Sequence, residues 1–216
     1  MEKSNIEQVP YSLPETKADI TLGQWIKYLP FDDDKVDAEI RISKMIEIFC
    51  GIPSRKLSQI KKSEIDYILQ TLSNVFKEET QDVIHIVHNG IHYARIPDFG
   101  EHITQGELID LDKYATEKDY ARFLSILYRP IKKYDKITGL YTIEPYTGTH
   151  ELFLDLRYDI YENASVFFWN TSLKLLNCSL NFIGKEVEKK LKMNGMNPKI
   201  YHQQVNLLKD GVRIWN

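Results

Sequence analysis

Residues 83–88 (VIHIVH) and 91–96 (IHYARI) flank the dipeptide Asn89-Gly90. Each run alternates as a half-buried strand does, and Asn-Gly is the pair that best tolerates positive φ at both central positions of a two-residue turn. The spacing therefore predicts a β-hairpin with a fixed register. His88 should face Ile91, Ile86 should face Tyr93, and Ile84 should face Arg95. These six share one face. Val83, His85, Val87, His92, Ala94 and Ile96 share the other. A lone hairpin is marginal in water, so this one must lean on helices or pair with a further strand. Gly139, Pro145 and Gly148, set among Leu140, Tyr141, Ile143 and Tyr146, suggest a loop with an added strand in 136–146 that would extend the ribbon.

The hairpin is set in a chain that otherwise reads as helix. Thr104 followed by Glu107 is a capping box, in which each side chain satisfies the other residue's backbone N–H. Thr116, three residues before Asp119, offers a looser start of the same kind. Tyr120, Phe123, Leu124 and Leu127 then recur at helical spacing, until Arg129-Pro130 forces the backbone out of the α region. Upstream, Thr21 and Gln24 start a helix that Pro30 ends. Asp37–Cys50 is a strong amphipathic helix with Gly51 placed as its left-handed stop, and Ser63 opens a third. Downstream, Leu152, Phe153, Leu156 and Tyr161 mark one helix to about Glu162. Asn163 caps a longer one to about Met193, whose Ala164–Ile183 part is apolar around most of its circumference and reads as a core helix. The expected fold class is mainly α with a small β-element (α+β): a helical core with the hairpin at about 83–96. The expected organisation is an extended N-terminal arm over 1–20, one helical domain over 21–195 with the hairpin inserted, and a C-terminal docking segment over 196–216. In that segment Val212, Ile214 and Trp215 would be wasted in water.

Bulk properties narrow the function. A net charge of −3 and a sequence pI of about 6.1 argue against a dedicated, sequence-specific nucleic-acid binder. The basic cluster Arg55, Lys56, Lys61 and Lys62 lacks interleaved aromatics and reads as solvated surface. Cys50 and Cys178 lie in apolar helical patterns, as buried reduced thiols would. No basic start leads into an apolar run, so no secretory signal is expected. Asn170, Lys174, Asn177 and Asn181 interrupt the most apolar stretch, so no membrane partner is expected either.

Catalytic patterns are weak. The chain has no nucleophile elbow, phosphate loop, dinucleotide-binding glycine run or paired-histidine zinc motif. Asp98-Phe99-Gly100 matches a kinase triplet in letters only. Asp32, Asp33 and Asp34 lack calcium-loop spacing and suit a helix N-terminus. His85 and His92 form a diagonal pair on the hairpin, without the further ligands zinc needs. Glu107 and Asp110 share a helix face and could do acid/base work. Glu107 is already used in the cap, and a salt bridge to Arg129 would occupy it further. Thr104, Glu107, Asp110, Arg129 and Trp215 are therefore structural or interface candidates, and no catalytic residue, cofactor or metal is expected.

The central strings Ile96-Pro97-Asp98-Phe99, Ile103-Thr104-Gln105-Gly106-Glu107-Leu108-Ile109-Asp110-Leu111 and Leu124-Ser125-Ile126-Leu127-Tyr128-Arg129-Pro130 resemble small structural proteins of tailed bacteriophages. The family they resemble is the ring proteins of crAss-like, short-tailed phages. Ile20–Trp25 and Ala164–Trp169 extend the likeness over most of residues 20–185. The resemblance implies a non-enzymatic virion protein of the portal–tail (neck) assembly. It would be made in the bacterial cytoplasm and form a ring homo-oligomer beside the portal and other tail proteins. Two alternatives stay open: a tail-assembly chaperone absent from the finished particle, and a small metal-dependent hydrolase or nuclease.

Overall fold

The computed structural model describes residues 10–97, 102–147 and 153–193. The expectations for 1–9, for Asp98-Phe99-Gly100 and for the docking segment with Trp215 lie outside those residues. The chain forms two compact units, 1–98 with 102–164, and 99–101 with 165–216.

In the first unit, Thr21 accepts from Gln24 N in a complete capping box and opens α1, Leu22–Tyr28. Asp37 caps α2, Ala38–Cys50, and Gly51 stops it at φ 74°. A 3-10 turn, Ser54–Gln59, leads to α3, Lys62–Lys77. Ser63 lies inside α3. The N-cap position belongs to Lys61, which makes no side-chain cap. The inward faces of these helices supply Tyr28, Ile46, Phe49, Ile68, Leu72 and Val75 to one core, which Ile20, Ile52 and Tyr158 complete from outside them. Aromatic rings tie it together, with Trp25 and Tyr158 centroids 4.5 Å apart and Phe49 and Phe76 5.3 Å apart. Geometries of this kind add to plain area burial.

The hairpin forms in the expected register. β1, His85–His88, pairs antiparallel with β2, Ile91–Arg95, and His88 stands opposite Ile91. Asn89 (φ 49°) and Gly90 (φ 76°) both take the left-handed conformation the turn requires. Ile86, His88, Tyr93 and Arg95 are buried on one face, but Ile84 and Ile91 of that face are exposed. On the other face His85, Val87 and His92 are exposed while Ala94 and Ile96 are buried, so β2 is covered on both sides towards its C-terminal end. Two further strands, β3 (Tyr128–Tyr134) and β4 (Tyr141–Ile143), complete an antiparallel sheet in the order β1-β2-β3-β4. The strand expected within 136–146 is β4.

The central helix pair departs from expectation in its second cap. α4 spans Gln105–Glu117 with Thr104 and Glu107 in a full capping box. Thr116 falls inside it. Lys118 ends α4 in the left-handed region at φ 58°, and Asp119 caps α5, Tyr120–Leu127, by accepting from Arg122 N at 3.1 Å. An Asp carboxylate one residue before the first helical turn outcompetes a threonine three residues upstream, because it reaches the free N–H groups directly. Beyond Leu127 the chain continues as β3, with Pro130 opposite Tyr93. Proline ends the helix and fits the extended backbone that follows.

α6 runs without a break over Tyr158–Met193. The separate helix expected to end near Glu162 is absent among the described residues, and Asn163 is an interior residue of α6, not its cap. In its place Phe153–Arg157 turns beside α1. Leu22 N donates to Leu156 O and Gly23 N to Leu154 O, each at 2.7 Å. In the second unit α6 is not the buried core helix its composition suggests. Val166, Trp169, Phe182 and Ile183 are exposed, and so is Cys178. Apolar composition around a helix predicts burial only where a cover exists.

The fold is mainly α with a small β-element. Among the described residues no helix is long and apolar enough to cross a membrane.

Candidate functional site

Thr104, Glu107 and Arg129 meet at the start of α4. Thr104 Oγ1 accepts from Glu107 N at 3.2 Å, and the Glu107 carboxylate accepts in return from Thr104 N at 2.8 Å. The other carboxylate oxygen sits 3.0 Å from Arg129 Nη1, and both side chains are almost fully buried. Arg129 Nε donates to Ile126 O at 3.0 Å, while its Nη2 has no hydrogen-bond partner among the described residues. Burial holds the Arg129 guanidinium below its usual range, and the Glu107 charge beside it acts in the opposite direction. A guanidinium does not lose its proton at any ordinary pH, so the pair stays ionic. Asp110, one turn on, is half-buried. Burial, then the Tyr114 hydroxyl, pushes the Tyr146 phenol up to about 12, and the Asp110 charge adds a smaller push in the same direction.

This geometry leaves Glu107 poorly placed for acid/base chemistry. Both its oxygens are engaged, and its charge is matched by a fixed cation. A general base needs a free lone pair within reach of a substrate proton. Among the described residues no group of three or more His, Cys, Asp or Glu side chains could hold a metal ion. An open cleft of about 520 Å³ lies between Ser12–Glu15 and the C-terminal end of α2. It is lined by Asp19, Gln24 and Cys50, and none of the central acids reaches it. Burial pushes the Cys50 thiol there to about 11, which makes it a poor nucleophile at neutral pH.

A second polar cluster was not foreseen. Arg95 projects from the inner face of β2 and donates to Asp82 Oδ1 at 2.7 Å and to Asn163 Oδ1 at 3.0 Å. Val83 N donates to the same Asn163 oxygen at 3.2 Å. The Tyr128 hydroxyl closes onto Val83 O, and the Tyr141 hydroxyl donates to Arg95 O at 2.7 Å. The cluster clasps the hairpin to α6 and to β3 and β4. One signal for it is in the sequence: an arginine on the same hairpin face as Ile86 and Tyr93 needs a buried acceptor. A third clamp holds residues 10–20 in place. Lys17 Nζ meets Glu162 Oε2 at 2.6 Å, and the Thr80 hydroxyl donates to the same oxygen.

The structure thus brings Thr104, Glu107 and Arg129 together, with Asp110 one turn away. The exposed pair His85 and His92 gains no third ligand among the described residues. The rings of Tyr134 and Tyr141 pack edge-on against His85. Compared with protein-family models, curated proteins and solved structures, the chain has no significant match.

Proposed function

We propose that this protein is a structural component of the phage portal–tail assembly, built into a ring of identical copies, and that it performs no chemistry. The resemblance of residues 20–185 to crAss-like phage ring proteins supplies the setting. The observation that supports the non-catalytic part is the double use of Glu107: one oxygen completes the cap and the other is ion-paired with buried Arg129. The acids of the central turn then act as a brace that shapes a docking surface for neighbouring copies and the portal. A heterologous contact of fixed rotation closes such copies into a ring.

Native mass spectrometry of the full chain, alone and with portal protein, tests the ring. The reading expects one discrete closed stoichiometry, either free or on the portal template. A nuclease and hydrolase screen with divalent metals tests the other half. Turnover that disappears in Glu107→Ala and Asp110→Ala would favour the enzyme alternative. The exposed apolar side chains of α6 would also suit a tail-assembly chaperone. A chaperone would be found in lysates and not in particles.

A further inference from the structure

We infer that the β3–β4 ribbon of one copy docks its tip into the cleft between Ser12–Glu15 and the end of α2 on the next copy. The ribbon is rooted at Arg129, where the Glu107 brace holds it, and every residue from Lys132 to Leu140 is exposed. Its turn is tightly tied. The Asp135 carboxylate accepts from Ile137 N at 2.9 Å and from the Thr138 hydroxyl at 2.7 Å. Asp135 N donates to Leu140 O and Gly139 N to Asp135 O, each at 2.8 Å, with Gly139 left-handed at φ 71°. A turn held in this way cannot fold its apolar side chains away from water, and it loses little freedom when it binds. Yet Ile137 is 96% exposed, Leu140 71% and Tyr134 50%. Lys132, Lys133 and Lys136 stand among them. The tip therefore calls for a concave surface that is apolar within and negative at its mouth.

The cleft has that chemistry. Leu13, Ile48 and Phe49 line it, beside the exposed acids Glu15 and Asp19. The C-terminal end of α2 adds the negative pole of a 13-residue helix. Arg157, the cation felt at Asp19, is itself paired with Asp159. Clefts of about 300–1,000 Å³ take whole drug-sized ligands, so one of about 520 Å³ has room for two aliphatic side chains. Tip and cleft both belong to the first unit, and the bare Ile137 side chain does not fill its own copy's cleft. One chain thus carries both halves of a complementary contact that it does not make with itself, which selects another copy as the mate. The contact is heterologous, as a ring requires. An anionic bilayer suits the tip less well. It would have to take in the whole turn, and the Asp135 carboxylate close to Ile137 opposes that. A cleft need take only the side chains of Ile137 and Leu140. The inference deepens the ring reading by naming the surfaces on which copies meet, and rests on that reading only for closure.

Sedimentation velocity of the full chain over a concentration series tests it, with a tip variant, Ile137→Ser/Leu140→Ser, and a cleft variant, Ser12→Arg/Glu15→Lys. All four positions are exposed, so both variants should fold, which circular dichroism checks. The wild type should associate, and the tip variant alone should need about 100-fold more protein to do so. The cleft variant should behave alike, because its added cations repel the tip lysines. Mixed together, the two variants should form 1:1 dimers and nothing larger, since one sound tip meets one sound cleft. If the cleft variant does not fold, Ile137→Cys copies mixed with Ser12→Cys copies, both in a Cys178→Ser background, replace it under oxidised glutathione. Disulfide-linked heterodimers that fail to form with Glu117→Cys in place of Ser12→Cys support the inference. A wild type that stays monomeric overturns it, and tip-dependent flotation of that monomer with phosphatidylserine vesicles would assign the tip to a bilayer. A mixture of the two variants that stays monomeric also overturns it. Rings that persist in both variants overturn it while keeping the ring reading. Mixing-dependent dimers from a chain absent from particles do the reverse.

Discussion

Glu107 is the residue on which the functional reading turns, and its two engagements can be separated by substitution. Glu107→Gln keeps an N3 side chain able to cap Thr104 but leaves the Arg129 guanidinium buried beside a neutral amide. The expected cost is about 3 kcal/mol in urea unfolding. Adding Arg129→Met should recover much of it, because a buried ion pair replaced by apolar groups is often neutral. A catalytic glutamate would show the opposite pattern, with lost turnover and little lost stability. Asp82 sets a pH dependence. Hydrogen bonds from Arg95 hold its carboxyl below the usual carboxylate range. Its folded value is depressed, so its contribution is present above the unfolded value of about 3.9 and fades as pH falls through the lower folded value. Stability should therefore drop below about pH 4, with a shallower slope in Asp82→Asn, as read by thermal melts across acid pH. The two thiols should differ sharply: Cys178 reacts with a thiol reagent in the native state, and Cys50 reacts only after unfolding. The Glu107–Arg129 pair could be read from the chain, because a capping-box glutamate and a downstream arginine were both visible there. The Arg95 clasp could be read only in part, since the hairpin face of Arg95 calls for a buried acceptor without saying which residue supplies it. Asn163 looks like a helix cap in one dimension, and only the third dimension turns it into an acceptor for Val83 and Arg95.

At the scale of elements, local signals succeeded where the backbone itself makes the choice. Asn89-Gly90 fixed the hairpin register, Gly51 stopped α2, and Thr21 and Thr104 opened α1 and α4. They failed where two candidates competed, as with Asp119 over Thr116, Lys61 over Ser63, and α6 starting at Tyr158. Strand β3 was hidden because Tyr128–Tyr134 has no alternating pattern of its own and is held by β2 and β4 on either side. Gly23 carries a constraint that no local rule reveals. A Cβ there would lie 2.9 Å from the backbone oxygen of Leu154, which Gly23 N already engages. Gly23→Ala should cost about 1–3 kcal/mol by overpacking, measured by chemical denaturation. Gly90→Val, at φ 76°, should cost about 1–3 kcal/mol through backbone strain at an open position. Hydrogen-exchange protection of β1 and β2 should fall more in Gly90→Val than in Gly23→Ala, because the strain sits in their turn.

For the whole molecule, fold class was legible because helical periodicity, one hairpin and ordinary composition all point the same way. The cover of α6 was not, since a sequence shows that a surface is apolar without showing what meets it. The central claim, that this chain is built into a phage particle as a brace and a docking surface, is a proposal. Quantitative mass spectrometry of phage particles purified from cells that make this chain tests it most directly. The account predicts the chain in a fixed whole-number ratio to the portal protein. Abundant chain in the lysate with none in the particles would contradict it.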